Sequence, residues 1–383
     1  MTPAARLQAA ADILDRIGEG VAAEKALTNW ARNSRFAGSK DRRAVRDHVF
    51  DCLRKWRSTA ALGGAETGRA RILGLLRETG ADVEAMFAGQ GHGPAPLSEA
   101  EQQSERQPEG FEAWDLPDWL GDVFQDGLGP EAEATAHALR NRAPVFLRVN
   151  TLKAGRETAQ RLLAEEGIET APHDLSPTCL QVTDGARKVA QSQAYLTGQV
   201  ELQDAASQAV VDMLPLEPGL RVLDYCAGGG GKSLAMAAQM AGKIDAHDAD
   251  PRRMKDLPAR ATRAGALVTP ITKPNGPYDL VLCDVPCSGS GAWRRSPEGK
   301  WRFSLSDLQD LVSVQSEILD TTQTLVGPVG KLAYATCSVI PAENSDQVAA
   351  FLTRHGEWSL LTSRQFLPSD GGDGFFCAVF EKS

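Results

Sequence analysis

Apolar residues recur at intervals of three and four near the start of the chain, at Leu7, Ala10, Ala11, Leu14 and Ile17. That spacing predicts an amphipathic helix, which Gly18 and Gly20 end. A second helix begins at Ala26, Leu27 and Trp30, and Val45, Val49, Cys52, Leu53 and Trp56 form a third apolar stripe. Residues 1 to 88 are therefore expected to make a small all-helical domain. Residues 89 to 110, dominated by Gly, Pro, Ser, Glu and Gln, read as a linker. Residues 111 to 200 read as a mixed α/β segment, with a helix over 131–140 and a strand over 145–149. From 201 to 383 short apolar runs alternate with helical stretches. The expected strands are 221–224, 243–247, 267–271, 279–283, 331–336 and 375–380, and the main helices 233–240, 250–264 and 306–326. Repeated βα units predict an α/β domain built on a doubly wound, mostly parallel sheet.

Composition adds limits. A chain of 383 residues, 42% hydrophobic and 24% charged, is ordinary globular material with room for two or three domains. It has no run of about 18 uncharged apolar residues, and its first residues mix Ala with Arg6, Asp12 and Asp15. Neither a membrane partner nor a signal peptide is expected, and the address read is cytoplasmic. The seven cysteines form no CxxC pair and no Cys/His zinc spacing, so reduced thiols and no bound metal are expected.

A net charge of -9 disfavours nucleic acid at first sight, because phosphates reward clustered Lys and Arg. The average conceals an asymmetry. Residues 31 to 57 hold nine basic side chains against three acidic ones, a net of +6, whereas residues 82 to 115 hold eight acidic ones against Arg106, a net of -7. The basic stretch suits RNA on one face of the helical domain; a solvated helix surface is the plainer reading.

Candidate chemistry begins at Gly228, Gly229, Gly230 and Gly231, between the strand ending Val222-Leu223-Asp224 and the helix from Ser233. Such a turn lets backbone approach a ligand, with unbonded amides at the helix start. Gly231-Lys232-Ser233 imitates the end of a phosphate loop, but that motif needs glycine where Cys226 stands. About twenty residues on, Asp248 ends the next strand, where a carboxylate suits the hydroxyls of an adenosine ribose. This much fits NAD and S-adenosylmethionine alike.

Two cysteine signatures separate them. Asp284-Val285-Pro286-Cys287 and Thr336-Cys337-Ser338 each follow a strand-forming run, and hydride transfer has no use for two thiols at strand ends. Carbon 5 of cytosine, in contrast, becomes nucleophilic only after something adds to carbon 6, and a thiolate can make that addition. Loss of the carbon 5 proton and expulsion of the thiol then call for a base and a second group. Cys283 and Cys377, inside apolar strands, read as inert.

The stretches 222–233, 284–291 with Arg294, Arg295, Pro297, Lys300 and Trp301, and 334–339 with Pro341, Glu343 and Asn344 resemble the RsmB/Sun-type RNA (cytosine-5) methyltransferase family. The resemblance extends upstream to Phe146-Leu147-Arg148-Val149-Asn150 and Gln203-Asp204-Ala205-Ala206-Ser207 and covers most of residues 140 to 383. It implies a Rossmann-like S-adenosylmethionine-dependent methyltransferase fold, with Cys337 as nucleophile, Cys287 assisting release, and Asp284 touching the base or the cofactor. Cys226, Ala227, the four glycines, Lys232, Asp248 and Asp284 would hold S-adenosylmethionine. A cytosine-5 DNA methyltransferase shares a Pro-Cys motif but uses that cysteine as nucleophile and needs no Thr-Cys-Ser, so RNA is favoured. Gly229 stands where the family loop usually has proline, and no acidic residue follows the third strand at 271–275.

Through Leu27 with Trp30, then Asp41-Arg42-Arg43 and Asp47-His48-Val49-Phe50 with Leu53-Arg54, the helical part is similar to the NusB-like domain that this family often carries. Arg42, Arg43 and Arg46, together with Arg148, Asn150, Arg294, Arg295 and Lys300, would then contact RNA, expected to be 16S ribosomal RNA, and the protein would act as a monomer. A reading from a different class is a non-catalytic RNA-binding ribosome assembly factor on a relic methyltransferase fold.

Overall fold

Thr2 accepts a hydrogen bond from the Ala5 amide at 3.2 Å and Pro3 occupies the first turn, which starts the helix Pro3–Gly18 as a capped helix should start. The computed structural model describes residues 1–382. Helices Pro3–Gly18, Ala23–Asn33, Ser39–Arg54, Trp56–Gly63 and Gly68–Glu78 follow. The apolar stripe of the first helix and that of Ser39–Arg54 meet Ile72 and Leu73 in one core. Helices Trp56–Gly63 and Gly68–Glu78 touch backbone to backbone, because a Cβ on Gly74 would lie 1.9 Å from the Thr59 carbonyl oxygen.

This helical unit is larger than the sequence suggests. It comprises Met1–Arg142 and Trp293–Arg302. The expected linker carries the helix Glu99–Gln103 and is bound into the unit: Arg69 pairs with Glu101 at 2.6 Å, and Ser104 donates to the Gly63 carbonyl at 3.1 Å. Arg69 holds the Glu101 carboxyl at about 2. The acidic segment is thus neutralised partly within the unit. Residues 111 to 142 are largely helical, including the expected helix over 131–140, and attach to this unit through buried Asp115, which accepts from the Ser58 hydroxyl at 2.7 Å and from Arg140 at 2.7 Å. The later insertion is clasped too: Lys300 donates to the Arg54 carbonyl at 2.9 Å and Trp301 to that of Leu53 at 2.7 Å.

The second unit comprises Ala143–Ala292 and the residues from Phe303 onward. Its first part is an antiparallel sheet of β1 (Val145–Val149), β2 (Glu169–Pro172), β3 (Cys179–Asp184) and β4 (Val200–Leu202), in the order β2-β3-β1-β4. The larger sheet has seven strands among the described residues: β5 (Val222–Asp224), β6 (Lys243–Ala246), β7 (Leu267–Pro270), β8 (Tyr278–Asp284), β9 (Val326–Thr336), β10 (Trp358–Phe366) and β11 (Phe375–Lys382). Their order is β10-β11-β9-β8-β5-β6-β7. Strands β7, β6, β5, β8 and β9 run parallel, while β11 and β10 are antiparallel additions. Leu280 to Cys283 are buried without alternation, as a parallel strand covered on both faces requires. From β5 the chain moves outward through β6 and β7, then returns to lay β8 on the other side of β5. That reversal opens the crevice in which α/β sheets bind ligands, outside the carboxyl ends of β5 and β8.

Candidate active site

Asp224 ends β5 and is fully buried; its Oδ2 accepts from the Ser233 hydroxyl at 2.6 Å, while its Oδ1 is buried without a partner among the described residues. Burial pushes its carboxyl up to about 7, helped by Asp284 and Asp248 and opposed by Ser233 and Lys232. The chain then turns through Cys226 and Ala227, both half-buried, into the glycine loop. Gly230 has φ +78°, and a Cβ there would lie 2.1 Å from Leu257 Cδ1, so only glycine fits. Gly229 offers its carbonyl to Arg260, and Gly231 begins the helix Gly231–Met240. Two residues beyond β6, Asp248 accepts from the Gly228 amide at 2.9 Å and pairs with Arg253 at 3.1 Å.

Lys232 reaches across from the loop helix to Asp284, at the carboxyl end of β8, with Nζ 2.7 Å from Oδ2. Burial would lower this lysine, yet the Asp284 charge and hydrogen bond outweigh it and leave the ammonium raised. Three residues beyond Asp284, Cys287 Sγ lies 3.3 Å from Cys337 Sγ, which follows β9. The hydrogen bond with Cys337, then burial, push the Cys287 thiol well up. Adjacent parallel strands thus join residues fifty positions apart. A pocket of about 420 Å³ opens beside Cys287, lined among others by Phe303, Asp307 and Leu311.

The residues expected to meet RNA fall into different surroundings. Arg148 is buried and donates to Gln203 at 2.6 Å, and burial lowers its guanidinium to about 10. Asn150 is buried and bridges the carbonyls of Gly198 and Ala264, each at 2.8 Å. In the helical unit Arg294 and Lys300 are buried, and burial lowers Lys300 to about 8. Arg148, Asn150 and Lys300 thus hold partners within their own units. Arg295 is exposed. Arg42 is exposed and donates to the Ala37 carbonyl, Arg46 pairs with Glu24 and lies over the Phe50 ring, and Arg43 is exposed with no side-chain partner among the described residues.

Several features were missed by sequence reasoning. The resemblance included Glu343 with no role attached, yet its buried carboxylate accepts from the Ser288 amide and hydroxyl, the Ser338 hydroxyl and Gln315. Gln315 carried no signal at all, since it sits mid-helix in Leu305–Thr322.

Residues 211–381 match the family model for 16S rRNA methyltransferase RsmB/F, and residues 116–189 match the ferredoxin-like domain of RsmF/B-like methyltransferases. "Ribosomal RNA small subunit methyltransferase B" of Cronobacter sakazakii (strain ATCC BAA-894) is 35% identical over 287 residues, 70% of this chain and 67% of that protein. The chain belongs to the RsmB/F methyltransferase family. The protein of the same name from Pectobacterium carotovorum subsp. carotovorum (strain PC1) is 34% identical over 286 residues and is matched over 66% of its length, so the chain spans about two thirds of such relatives. Among solved structures, that titled "Crystal Structure of PH0851" has a TM-score of 0.75 at 25% identity and covers the whole chain and 99% of its own. A methyltransferase homolog protein from Pyrococcus horikoshii has a TM-score of 0.63 at 24% identity, over 70% of this chain and 96% of its own. Within the family model lie the glycine loop, Asp248, Asp284 and both site cysteines. Among the described residues no group of three His, Cys, Asp or Glu could hold a metal ion, and no helix is long and apolar enough to cross a membrane.

Proposed function

We propose that this chain transfers a methyl group from S-adenosylmethionine to carbon 5 of a cytosine in small-subunit ribosomal RNA, through a covalent adduct with Cys337. The observation that carries the reading is the pair of thiols 3.3 Å apart beside the Lys232–Asp284 ion pair, at the carboxyl ends of two adjacent parallel strands. Family membership supports the substrate class, because the relatives named above are small-subunit ribosomal RNA methyltransferases.

The residues present suit the cofactor. The orphaned Asp224 oxygen, the helix start at Gly231 and Lys232 lie around one crevice, and Asp248 lies two residues beyond the neighbouring strand β6. Asp224, the loop 226–232, Asp248 and Asp284 would hold S-adenosylmethionine, which supplies an electrophilic methyl group when bound. Lys232 fixes one oxygen of Asp284 and leaves the other available to a cytosine or to the cofactor. The Cys337 thiolate forms a bond to carbon 6 of the ring, and the electron pair shifted to carbon 5 makes that atom the nucleophile. After methylation, a base removes the carbon 5 proton, the double bond reforms, and the bond from sulfur to carbon 6 breaks. Cys287, whose proton is firmly held, serves this release as a neutral thiol.

The test is to incubate the protein with small-subunit RNA and labelled S-adenosylmethionine and to assay 5-methylcytosine by mass spectrometry. Cys337→Ala should abolish product, whereas Cys287→Ala should accumulate a protein–RNA adduct visible as a shifted denaturing-gel band. Product from Cys337→Ala, or clean turnover by Cys287→Ala, would defeat the assignment.

A further inference from the structure

Glu343 is fully buried just after the Cys337 turn, in the one-turn helix Pro341–Glu343. Its Oε1 accepts from the Ser288 amide at 2.8 Å and from Gln315 Nε2 at 3.0 Å. Its Oε2 accepts from the hydroxyls of Ser288 and Ser338. Ser288 follows Cys287 and Ser338 follows Cys337, so one carboxylate binds the residue next to each thiol. Gln315 makes the arrangement three-sided, since the same Nε2 also donates to the Pro286 carbonyl at 2.9 Å, immediately before Cys287.

The hub is itself immobilised. Tyr334, on β9, donates its hydroxyl to the Glu343 carbonyl at 2.6 Å. Asn344 accepts from Thr336 at 2.6 Å and donates to the Ser338 carbonyl at 2.9 Å, which ties the residues on both sides of Cys337 to one side chain. A buried carboxylate is costly unless its acceptor sites are filled, and here four donors fill them. Nothing in the core needs a charge at this position. What the arrangement accomplishes is a fixed spacing between two loops that come from different strands.

We propose that Glu343 is a positioning residue whose carboxylate clamps the Cys287 loop to the Cys337 turn and so sets the separation of the two thiols. The proposal rests on the covalent mechanism above, because that separation matters only if both sulfurs serve one cytosine. Reacting groups displaced by about 1 Å lose on the order of a hundredfold in rate. Loss of the clamp should therefore lower turnover while leaving the binding surfaces for RNA and cofactor in place. Gln can replace the carboxylate as a linker: its oxygen accepts from the Ser288 amide and from Gln315, and its amide donates to the two serine hydroxyls, which can accept.

The experiment compares the full chain with Glu343→Ala and Glu343→Gln, in kcat and KM and in bridging of Cys287 to Cys337 by phenylarsine oxide, which joins two thiols only when they are close. Glu343→Ala should lose about a hundredfold in kcat with both KM values within about twofold, and should lose the bridged species. Glu343→Gln should keep the bridge and most of the turnover. If Glu343→Ala does not fold, the Ser288→Ala, Ser338→Ala double variant carries the same expectation. Three results would overturn the clamp: unchanged kcat and bridging without the carboxylate, lost kcat with bridging intact, or a Gln variant as impaired as Ala. Failure of the unaltered chain to make 5-methylcytosine would count against the methylation reading alone, since the bridging arm needs neither RNA nor cofactor.

Discussion

Asp224 makes the protein's stability depend on pH in a calculable way. Its carboxyl lies at about 7 in the folded chain, against an ordinary 3.8, because it is buried at the foot of the glycine loop with one oxygen unpartnered. The folded state therefore keeps a proton that the unfolded chain releases between about pH 4 and 7, and stability falls as pH rises through that window. At about 1.4 kcal/mol per pH unit, the full cost above pH 7 is roughly 4 kcal/mol, of which about 3 kcal/mol develops between pH 4.5 and 8. Asp224→Asn imitates the protonated acid at every pH, with its oxygen accepting from Ser233 as Asp224 does now. Groups that do not interact with Asp224 titrate alike in both proteins, so the difference between them reports this group together with its coupling to Asp284, Asp248 and Lys232. Native-state hydrogen exchange of the β5 and β8 amides, read in the absence of cofactor, should show the Asn variant gaining about 3 kcal/mol on the unaltered chain from pH 4.5 to 8. A difference that stays flat within about 1 kcal/mol would refute the argument that burial, helped by Asp284 and Asp248, keeps Asp224 protonated.

Two further outcomes follow from single positions. Gly230→Ala places a Cβ against Leu257 at a backbone angle that costs about 1–2 kcal/mol for a non-glycine residue, so S-adenosylmethionine affinity by calorimetry should fall at least about tenfold. Lys300→Met removes a buried ammonium bonded to the Arg54 carbonyl, and the slope of log K for RNA against log salt should not change, whereas Arg43→Ala should reduce that slope by about one. A reduced slope for Lys300→Met would return that residue to the RNA surface.

The catalytic sheet was legible because its inner strands are unambiguous. Leu280 to Cys283 cannot be half-exposed, and β1 was read to the residue from Val145 to Val149. Strand β10 escaped notice because it is the sheet edge: Leu360 to Arg364 all face solvent, and no apolar alternation marks them. Strands β2 and β4 are the two edges of their sheet, and Glu169-Thr170-Ala171-Pro172 and Val200-Glu201-Leu202 carry no continuous apolar run. Residues 89 to 110 have the composition of a linker, yet composition cannot see that Arg69 and Arg77, from the helix Gly68–Glu78, receive Glu101. The same blindness affected charge. Arg148 and Arg43 are alike in sequence, and only packing reveals that one holds Gln203 while the other faces water.

The candidate site followed a similar division, and its limit is physical. The resemblance to the RsmB/Sun-type family is what gave Cys337 and Cys287 different expected tasks. Spacing along the chain could not show that the two sulfurs touch. Their contact depends on β8 lying beside β9 in parallel register, Cys283 opposite Tyr334 and Asp284 opposite Ala335, so that both chains leave the sheet at the same level. From there each thiol is carried on irregular backbone, joined across by the Gly291 amide to the Cys337 carbonyl at 3.0 Å and by the Ser290 and Ser338 hydroxyls at 2.9 Å. A side chain that fixes the turns immediately beside both sulfurs must reach both at once. A carboxylate with two oxygens, buried between Ser288 and Ser338 and anchored by Gln315, meets that requirement, whereas an apolar residue of equal volume could fill the space without fixing either turn. The polar residue in this core is thus explained by the geometry it enforces, and its effect should appear in turnover before it appears in binding.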